Sequence, residues 1–301
     1  MTLQMIEMFL KVFVPIALTV VMFGMGLQLV TGDFIRVARF PKAALAGLLG
    51  QIFLLPSIAF LLVHFLSLPL AISAGIVILA ACPSGVASNS FCFLARADVA
   101  LSVTLTALSS VLALVTVPLI IGLGLDIIQL GRAVTSSTDL FRLPLAASLK
   151  QLLLVVVLPL SAGMIVRRFA ERFALQSDRW FRIANVVVLF ILLMGAFVVG
   201  FDFLLKNFKV ILPVLLALNL ASMLGGYFLA QSFGLVTSQR LTIAIDTGIQ
   251  NVGLGMLVAL NLLQQPDWIV APAVYSIVMM LSAFALVAGL RLQRNTHPVQ
   301  P

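Results

Sequence analysis

Long apolar segments recur along the whole chain, and short polar connections separate them. A helix that crosses the hydrocarbon core of a bilayer needs about 20 mostly apolar residues. Segments of this kind predict nine transmembrane helices, at about residues 9–31, 42–64, 69–95, 99–125, 145–167, 183–201, 208–232, 240–262 and 268–290. The polar stretches at about 126–144 and 168–182 are too short for a soluble domain, so the sequence predicts a single all-α membrane domain over residues 1–301.

Composition leads to the same class of protein. Apolar residues make up 62% of the chain and charged residues 9%, whereas a soluble domain has about 45–50% and about 25%. A soluble fold has no place for this apolar surplus, so a soluble enzyme, a disordered chain and a secreted disulfide scaffold are excluded. Cys82 and Cys92 both lie in apolar sequence without metal-binding spacing, which is typical of buried thiols.

The net charge of +8 is interpreted as a signal of membrane topology, not of nucleic-acid binding. The first apolar segment is interpreted as a transmembrane helix, since no small-residue cleavage site follows it. With nine helices, one side of the membrane then receives 12 of the 18 basic residues: Arg36, Arg39, Lys42, Arg96, Arg167, Arg168, Arg172, Arg179, Arg182, Arg240, Arg291 and Arg294. The other side receives Lys11, Arg132, Arg142, Lys150, Lys206 and Lys209. The positive-inside rule therefore predicts a plasma (inner) membrane protein with its N-terminus outside and its C-terminus in the cytoplasm.

Two of the nine segments carry polar residues, Gly and Pro near their middle. The third segment contains Cys-Pro-Ser-Gly-Val-Ala-Ser-Asn-Ser over residues 82–90, and the eighth contains Asp-Thr-Gly-Ile-Gln-Asn-Val-Gly over residues 246–253. Pro83 removes a helical donor, and the glycines permit unwound backbone. Open backbone at this depth is tolerated only inside the protein or beside a water-filled cavity. Isolated Ser and Gly residues have the alternative role of helix packing.

Asp246 is the least expected residue in these segments. A carboxylate at mid-membrane costs about 2.5–3.5 kcal/mol on insertion scales, so it normally has a partner and a function. Arg240, at the beginning of the same segment, is its only cationic residue. The sequence therefore favours a bound cation or a proton as the group that neutralises Asp246.

The two interrupted segments are third and eighth, five positions apart. An odd offset reverses the orientation of a repeat in the membrane, and matching broken helices in two inverted halves mark the binding site of many secondary transporters. The predicted fold is therefore an inverted-repeat transporter in which helices 1–4 correspond to helices 6–9. No sequence similarity between the halves is visible, so this prediction depends on position and chemistry alone.

Several motifs together resemble the bile acid:sodium symporter family. They are Phe-Gly-Met-Gly-Leu at 23–27, Gln51, Cys-Pro-Ser-Gly-Val-Ala-Ser-Asn at 82–89, Ala-Leu-Ser-Val-Thr-Leu-Thr at 100–106, and Asp-Thr-Gly-Ile-Gln-Asn at 246–251. The resemblance runs nearly end to end and implies a core domain built around two crossed, broken helices, with a panel domain beside it. By this resemblance helices 1, 5 and 6 form the panel and helices 2–4 and 7–9 form the core, as in the nine-helix mammalian members.

The resemblance also implies two sodium ions as the coupling ions. The first site would use Ser88, Asn89, Ser102, Thr106 and Asp246, and the second Gln51, Asp246, Thr247, Ile249 and Gln250. Hydroxyl, amide, carbonyl and carboxylate oxygens are ligands that suit an alkali ion. The residues implied at the substrate site are Val86, Ala87, Gly248 and Asn251.

Two positions depart from the family pattern. The family usually has Glu where Asp246 stands, and Asp is one methylene shorter, which bears on whether one carboxylate can serve two ions. The family commonly has Thr where Val86 stands, so the polar contacts to the substrate differ.

The function predicted from these features is sodium-coupled symport of a small organic anion by alternating access. Bile-acid-like steroids and smaller, pantoate-type carboxylates both remain open as substrates, and the oligomeric state is unknown. Proton coupling through Asp246 and a non-transporting membrane sensor are the alternatives. A channel is disfavoured because the polar residues cluster at mid-depth and do not line a continuous path. An intramembrane enzyme is disfavoured because the two histidines, His64 and His297, lie at a helix end and in the tail, so no nucleophile has a suitable base.

Overall fold

The computed structural model describes residues 3–30, 32, 41–131 and 145–296, and these residues are almost entirely helical. The basic residues Arg36, Arg39, Arg132 and Arg142, counted above for topology, lie outside this part of the chain, as does His297. The α-helices are α1 (Leu3–Gln28), α2 (Pro41–Leu49), α3 (Leu55–Phe65), α4 (Leu70–Ala81), α5 (Ala87–Ala95), α6 (Val99–Gly131), α7 (Leu145–Leu152), α8 (Leu158–Phe169), α9 (Glu171–Ser232), α10 (Thr237–Gly248), α11 (Val252–Leu257) and α12 (Val270–Thr296). Shorter π-helical or 3₁₀ turns lie at Gly50–Leu54, Leu153–Val157, Val258–Leu262 and Pro266–Ile269.

Seven helical windows in the described residues are long and apolar enough to cross a membrane. They are Lys11–Gln28, Pro41–Phe65, Val99–Ile128, Leu149–Phe169, Glu171–Val198, Gly200–Ser232 and Pro266–Gln293. Each overlaps one predicted uninterrupted segment. The third and eighth predicted segments are each divided into two short helices, α4 with α5 and α10 with α11. We call the non-helical residues between them break 1 (residues 82–86) and break 2 (residues 249–251).

The connection between the sixth and seventh predicted segments differs from the sequence prediction. In place of a polar loop near residues 202–207, α9 runs continuously for 62 residues. The polar stretch 168–182 is also mostly helical, with a single non-helical residue at Ala170. Residues 202–207 contain no Gly or Pro, so the chain has no local reason to leave the helix there. A helix of this length, about 93 Å at 1.5 Å per residue, exceeds one bilayer crossing, so its two apolar windows count as separate candidate spans.

The interrupted helices lie at the centre of the protein. Every residue of α4 from Ile72 to Ala81 is buried, and so is every residue of α10 from Leu241 to Gly248. The long helices surround them and expose large apolar side chains on their outer faces, such as Leu61, Phe190 and Leu281, each more than half exposed. The opened backbone of both breaks is thereby kept away from lipid, as membrane-depth backbone requires.

A close contact between glycines joins α1 to α8. A Cβ atom on Gly163 would lie 2.8 Å from the Cα of Gly26 and would collide with the Phe23 carbonyl oxygen. Small residues allow helix backbones in a membrane to approach this closely. The first part of α9 packs on the same helix, where the rings of Phe23 and Phe181 lie 5.7 Å apart. Helices α1, α8 and the first part of α9 thus form one packed group; its identity as a panel domain stays a prediction.

This contact predicts the effect of a single methyl group. Gly163→Ala should destabilise the protein by about 1–3 kcal/mol, because the methyl group meets backbone atoms that have no freedom to move aside. Gly289→Ala is the matched control, since a Cβ there has no atom within 4 Å and the helical residue is exposed. Thermal unfolding of the purified variants in detergent measures both effects. Equal unfolding temperatures for the two variants would contradict the close approach.

Candidate ion and substrate site

The two breaks are joined by backbone hydrogen bonds. The Gly85 N–H donates to the Ile249 carbonyl at 2.9 Å, and the Asn251 N–H donates to the Pro83 carbonyl at 2.9 Å. The pattern is that of an isolated antiparallel β-bridge inside an otherwise helical protein. Groups that each helix loses by unwinding are therefore satisfied by the other break, which buried backbone polar groups require.

Local sequence explains why the chain unwinds at break 1. Pro83 has no N–H to give to a preceding turn, and Cys82 leaves the helix with φ −68° and ψ 149°. Gly85 is required by the bridge itself, since a Cβ there would lie 2.7 Å from the Gln250 carbonyl oxygen. Break 2 leaves the helix at Ile249, with φ −107° and ψ 109°. Gly85 is thus explained by the close approach between the backbones of the two breaks.

Asp246, in the last turn of α10, is surrounded by hydroxyl groups from two helices and from break 1. The Ser102 hydroxyl of α6 donates to Asp246 Oδ1 at 2.8 Å, and the Ser84 hydroxyl of break 1 lies 3.3 Å from the same oxygen. Ser88 Oγ of α5 lies 3.2 Å from Ser102 Oγ and 3.5 Å from Thr106 Oγ1. We call Ser84, Ser88, Ser102, Thr106, Asn89 and Asp246 the hydroxyl cluster.

The hydroxyl cluster holds more acceptor oxygens than its protons can satisfy. Ser102 lies 2.8 Å both from Asp246 Oδ1 and from Asn89 Oδ1, but its single proton can serve only one of them at a time. The second carboxylate oxygen, Asp246 Oδ2, is buried and receives no hydrogen bond from any residue that the structure describes. Unpaired buried acceptors are costly, and a cation is the ligand that would satisfy several of them together.

A second group of polar residues, the amide cluster, consists of Gln51, Thr247 and Gln250. Gln51 Nε2 donates to Gln250 Oε1 at 2.7 Å and to the Cys82 carbonyl at 2.8 Å. Gln250 Nε2 donates to the Thr247 carbonyl at 2.8 Å. Gln51 Oε1 is a further buried acceptor to which no described residue donates. Gln51 itself lies in the π-helical turn Gly50–Leu54, and such turns are frequent at functional sites.

The structure therefore brings eight of the nine predicted ion ligands into two adjoining clusters, and the ninth, Ile249, lies in break 2 with its carbonyl 3.4 Å from the Ser84 hydroxyl. Thr247 offers only its carbonyl, because its hydroxyl donates toward carbonyl oxygens of Ser222 and Ile243, 3.0 and 2.8 Å away. The Ile249 carbonyl already accepts the Gly85 N–H of the bridge, and a carbonyl oxygen has a second lone pair.

Ser84 is a member of the hydroxyl cluster that the sequence assignment missed. Its hydroxyl lies 3.3 Å from Ser88 Oγ, 3.3 Å from Asp246 Oδ1 and 3.4 Å from the Ile249 carbonyl, so it links the carboxylate to break 2. The sequence signal that could have identified Ser84 is its position between Pro83 and Gly85, inside the predicted break and four residues before the predicted ligand Ser88.

A cavity opens where both breaks face α1, α9 and α12. Its lining residues are Leu18, Val21, Gly85, Val86, Ala87, Val188, Leu192, Gln250, Asn251, Val252, Gly253, Met279 and Met280. Three of the residues predicted to contact substrate, Val86, Ala87 and Asn251, line it. Gly248 does not, because its carbonyl is turned toward α9 and α12 and accepts hydrogen bonds from Asn219 and Tyr275.

The cavity is mostly apolar, and both helices that follow the breaks begin at its wall. Helix α5 begins at Ala87, and α11 begins after Asn251, whose side-chain oxygen accepts the Leu254 N–H at 3.1 Å as an N-terminal cap. Helix N-termini favour negative charge. None of the described lining residues is Lys or Arg, so an anion here would meet helix ends and side-chain amides instead of a basic side chain.

A buried oxygen cluster at the meeting point of two broken helices is the arrangement of a secondary transporter. Residues 15–207 match the Sodium Bile acid symporter family. The chain is 30% identical over 247 residues to "Uncharacterized sodium-dependent transporter YocS" of Bacillus subtilis, which covers 82% of this chain and 73% of that protein. The chain therefore belongs to the sodium bile acid symporter family and is a transporter, not an enzyme, as the sequence predicts.

Two further relatives come from plants and animals. "Probable sodium/metabolite cotransporter BASS1, chloroplastic" of Arabidopsis thaliana is 29% identical over 262 residues, which are 87% of this chain and 62% of that protein. "Sodium/bile acid cotransporter 4" of Mus musculus is 31% identical over 248 residues, which are 81% of this chain and 55% of that protein. The chain thus spans less than two thirds of the length of each.

The bridge between the breaks predicts the effect of Gly85→Ala. The added methyl group would push the Gln250 carbonyl away, so transport should be lost and the unfolding temperature should fall, both because the two backbone hydrogen bonds are disturbed. Gly253→Ala is the matched control in the same cavity wall, since the nearest atom to its Cβ lies at an ordinary 3.5 Å. Wild-type transport by Gly85→Ala would contradict the bridge geometry.

Proposed function

We propose that the protein is a sodium-coupled symporter of an organic anion. Family membership and the sodium-dependent relatives support sodium coupling. The observation that carries the proposal is Asp246, 3% exposed, with one oxygen bonded by Ser102 and the other without a donor among the described residues. No described Lys or Arg pairs with this carboxylate. The ion pair that the described residues do form joins Arg167 and Glu171. A bound cation supplies the missing charge.

The ligand chemistry favours a hard, monovalent ion. The hydroxyl cluster provides Ser88, Asn89, Ser102 and Thr106 around Asp246. The amide cluster provides Gln51, Gln250 and the Thr247 carbonyl, and the Ile249 carbonyl lies beside it in break 2. Sodium suits such oxygen ligands. Each cluster contains one unpaired buried acceptor, Asp246 Oδ2 in the first and Gln51 Oε1 in the second. This favours two ions, with the shorter side chain of Asp246 committed mainly to the hydroxyl cluster.

The substrate site is the cavity beside the breaks, whose lining includes Gln250 of the amide cluster. An anionic group binds near Asn251 and the beginnings of α5 and α11, and an apolar body packs on residues such as Leu192 and Met280. Both sites adjoin the same backbone bridge, so ions that fix the bridge also fix the substrate-binding surface. A ligand shifts a conformational equilibrium only by its preference for one state, and this shared backbone gives sodium such a preference.

The transport cycle follows from this coupling. Helices α1, α8 and the first part of α9 act as the panel, and the interrupted helices with their neighbours act as the core that moves against it. The N-terminus lies outside the plasma membrane and the C-terminus inside. Two sodium ions with one monovalent anion carry one net positive charge inward, to which the membrane potential contributes about 2.3 kcal/mol per 100 mV.

Loss of the carboxylate tests sodium coupling directly. Purified protein is first screened by thermal shift with taurocholate, cholate and pantoate, in sodium chloride or choline chloride, to choose a substrate for proteoliposome uptake. Asp246→Asn and Gln250→Ala should each lower sodium-driven uptake by more than about tenfold, since tenfold corresponds to only about 1.4 kcal/mol of lost ion binding. Asp202→Asn, which changes an exposed carboxylate, is the control and should transport normally.

The same assay separates the two possible coupling ions. Uptake that is driven by a pH gradient in sodium-free medium, and is abolished in Asp246→Asn, would show that the coupling ion is a proton and not sodium. Unchanged sodium-driven uptake in both Asp246→Asn and Gln250→Ala would overturn the assignment of the ion site.

The two-ion proposal predicts a change in cooperativity. Wild-type uptake should depend on sodium with a Hill coefficient well above one, whereas Gln51→Ala should bring it close to one because the amide cluster loses its only unpaired acceptor among the described residues. Initial uptake rates over a sodium titration, at constant ionic strength with choline, measure this. A wild-type coefficient of one would indicate a single ion.

A further inference from the structure

The end of α10 leaves a buried carbonyl without its helical partner. In a continuous helix the Gly248 carbonyl would accept the Val252 N–H, but that N–H instead bonds the Gln250 carbonyl at 3.0 Å. Unpaired backbone groups at membrane depth cost several kcal/mol. The Gly248 carbonyl therefore needs a donor from outside its own helix.

Two side chains from different helices provide that donor. Asn219 Nδ2 of α9 donates to the Gly248 carbonyl at 2.8 Å, and the Tyr275 hydroxyl of α12 donates to it at 2.9 Å. Asn219 Nδ2 also lies 3.1 Å from the Tyr275 oxygen, so the two donors are bonded to each other. Both side chains are fully buried, and neither lines the cavity nor belongs to the hydroxyl or amide cluster.

Further contacts on the same side restrict the peptide. A Cβ on Gly248 would lie 3.0 Å from the sulfur of Met223 and would collide with its Cγ, so α9 packs directly on the glycine. The Ser222 hydroxyl donates to the Asn219 carbonyl at 2.8 Å, and the Thr247 hydroxyl donates to the Ser222 carbonyl at 3.0 Å. Helices α9 and α12 thereby hold Gly248 in place from the side of Asn219 and Tyr275.

We infer that Asn219 and Tyr275 are positioning residues that set the affinity for sodium without touching the ion or the substrate. This inference rests on the proposed function, in which the carbonyls of Thr247 and Ile249 are ion ligands. Gly248 lies between these two residues, so a fixed Gly248 carbonyl fixes the orientation of both neighbouring peptide groups. Release of that carbonyl lets the peptides rotate, and the ion then has to order them on binding.

Tyr275→Phe tests the inference with almost no change in volume. The matched control is Ser276→Ala on the same helix, because the Ser276 hydroxyl is equally buried but bonds only the Ala273 carbonyl of its own turn. The readout is the unfolding temperature of purified protein as sodium chloride replaces choline chloride at constant ionic strength, which requires no substrate. We expect Tyr275→Phe to raise the sodium concentration for half-maximal stabilisation about two- to tenfold, the effect of one neutral hydrogen bond, and Ser276→Ala to leave it unchanged.

A second variant distinguishes positioning from general weakening of the fold. Asn219→Ser should raise the half-maximal sodium concentration as Tyr275→Phe does, and the double variant should show less than the product of the two effects, because both side chains bond one carbonyl and each other. If Tyr275→Phe does not yield folded protein, Asn219→Ser alone carries the same expectation.

The outcomes separate this inference from the proposed function. A wild-type protein that sodium does not stabilise relative to choline would count against the proposed function itself. Sodium stabilisation in the wild type, with the same half-maximal concentration in Tyr275→Phe and Asn219→Ser, would overturn the positioning role alone. So would an equal rise in Ser276→Ala, since its hydroxyl bonds the Ala273 carbonyl of its own turn instead of the break.

Discussion

The backbone bridge between the two breaks is the contact on which the rest of the centre depends. Two antiparallel hydrogen bonds, from Gly85 to Ile249 and from Asn251 to Pro83, let both helices unwind without leaving these peptide groups unpaired in the membrane interior. The bridge adjoins both the polar clusters and the cavity, and Gln250 belongs to the amide cluster and also lines the cavity. Any ligand that orders one of these sites therefore acts on the other through the same few peptide groups, which is the physical basis of coupling in the proposed mechanism.

The low content of charged residues explains why the hydroxyl cluster is a candidate ion site. With charged residues at 9% of the chain, a buried carboxylate such as Asp246 has few possible partners, and the described residues around it offer hydroxyl groups and no cation. Hydroxyls and amides can satisfy part of its hydrogen-bonding capacity, but they do not neutralise its charge. The same chemistry appears in the cavity, whose described lining lacks basic side chains. An ion and an anion that enter together would each reduce the cost of placing the other inside the protein.

Much of the fold and part of the site were predictable from local sequence, because hydrophobic length and helix-breaking residues are local properties. The apolar segments give seven long helical windows in the structure, and Pro83, Gly85 and Gly248 mark the two interruptions where the structure has them. The connection near residues 202–207 was not predictable in this way. Its Asp, Lys and Asn residues have the polarity of a loop, but without Gly or Pro the helix continues through them.

The sequence by itself determined that this is a helical membrane protein with two broken segments and a buried acid, since those features follow from residue type and spacing along one chain. Only the tertiary structure decided which groups meet. Ser84 joins Asp246, the Thr247 hydroxyl turns away from the clusters, and the Gly248 carbonyl faces Asn219 and Tyr275 instead of the cavity. The physical reason is that these contacts join residues 25 to 162 positions apart in the chain or depend on which way a peptide group rotates within a break, and neither is encoded in the period of a single helix.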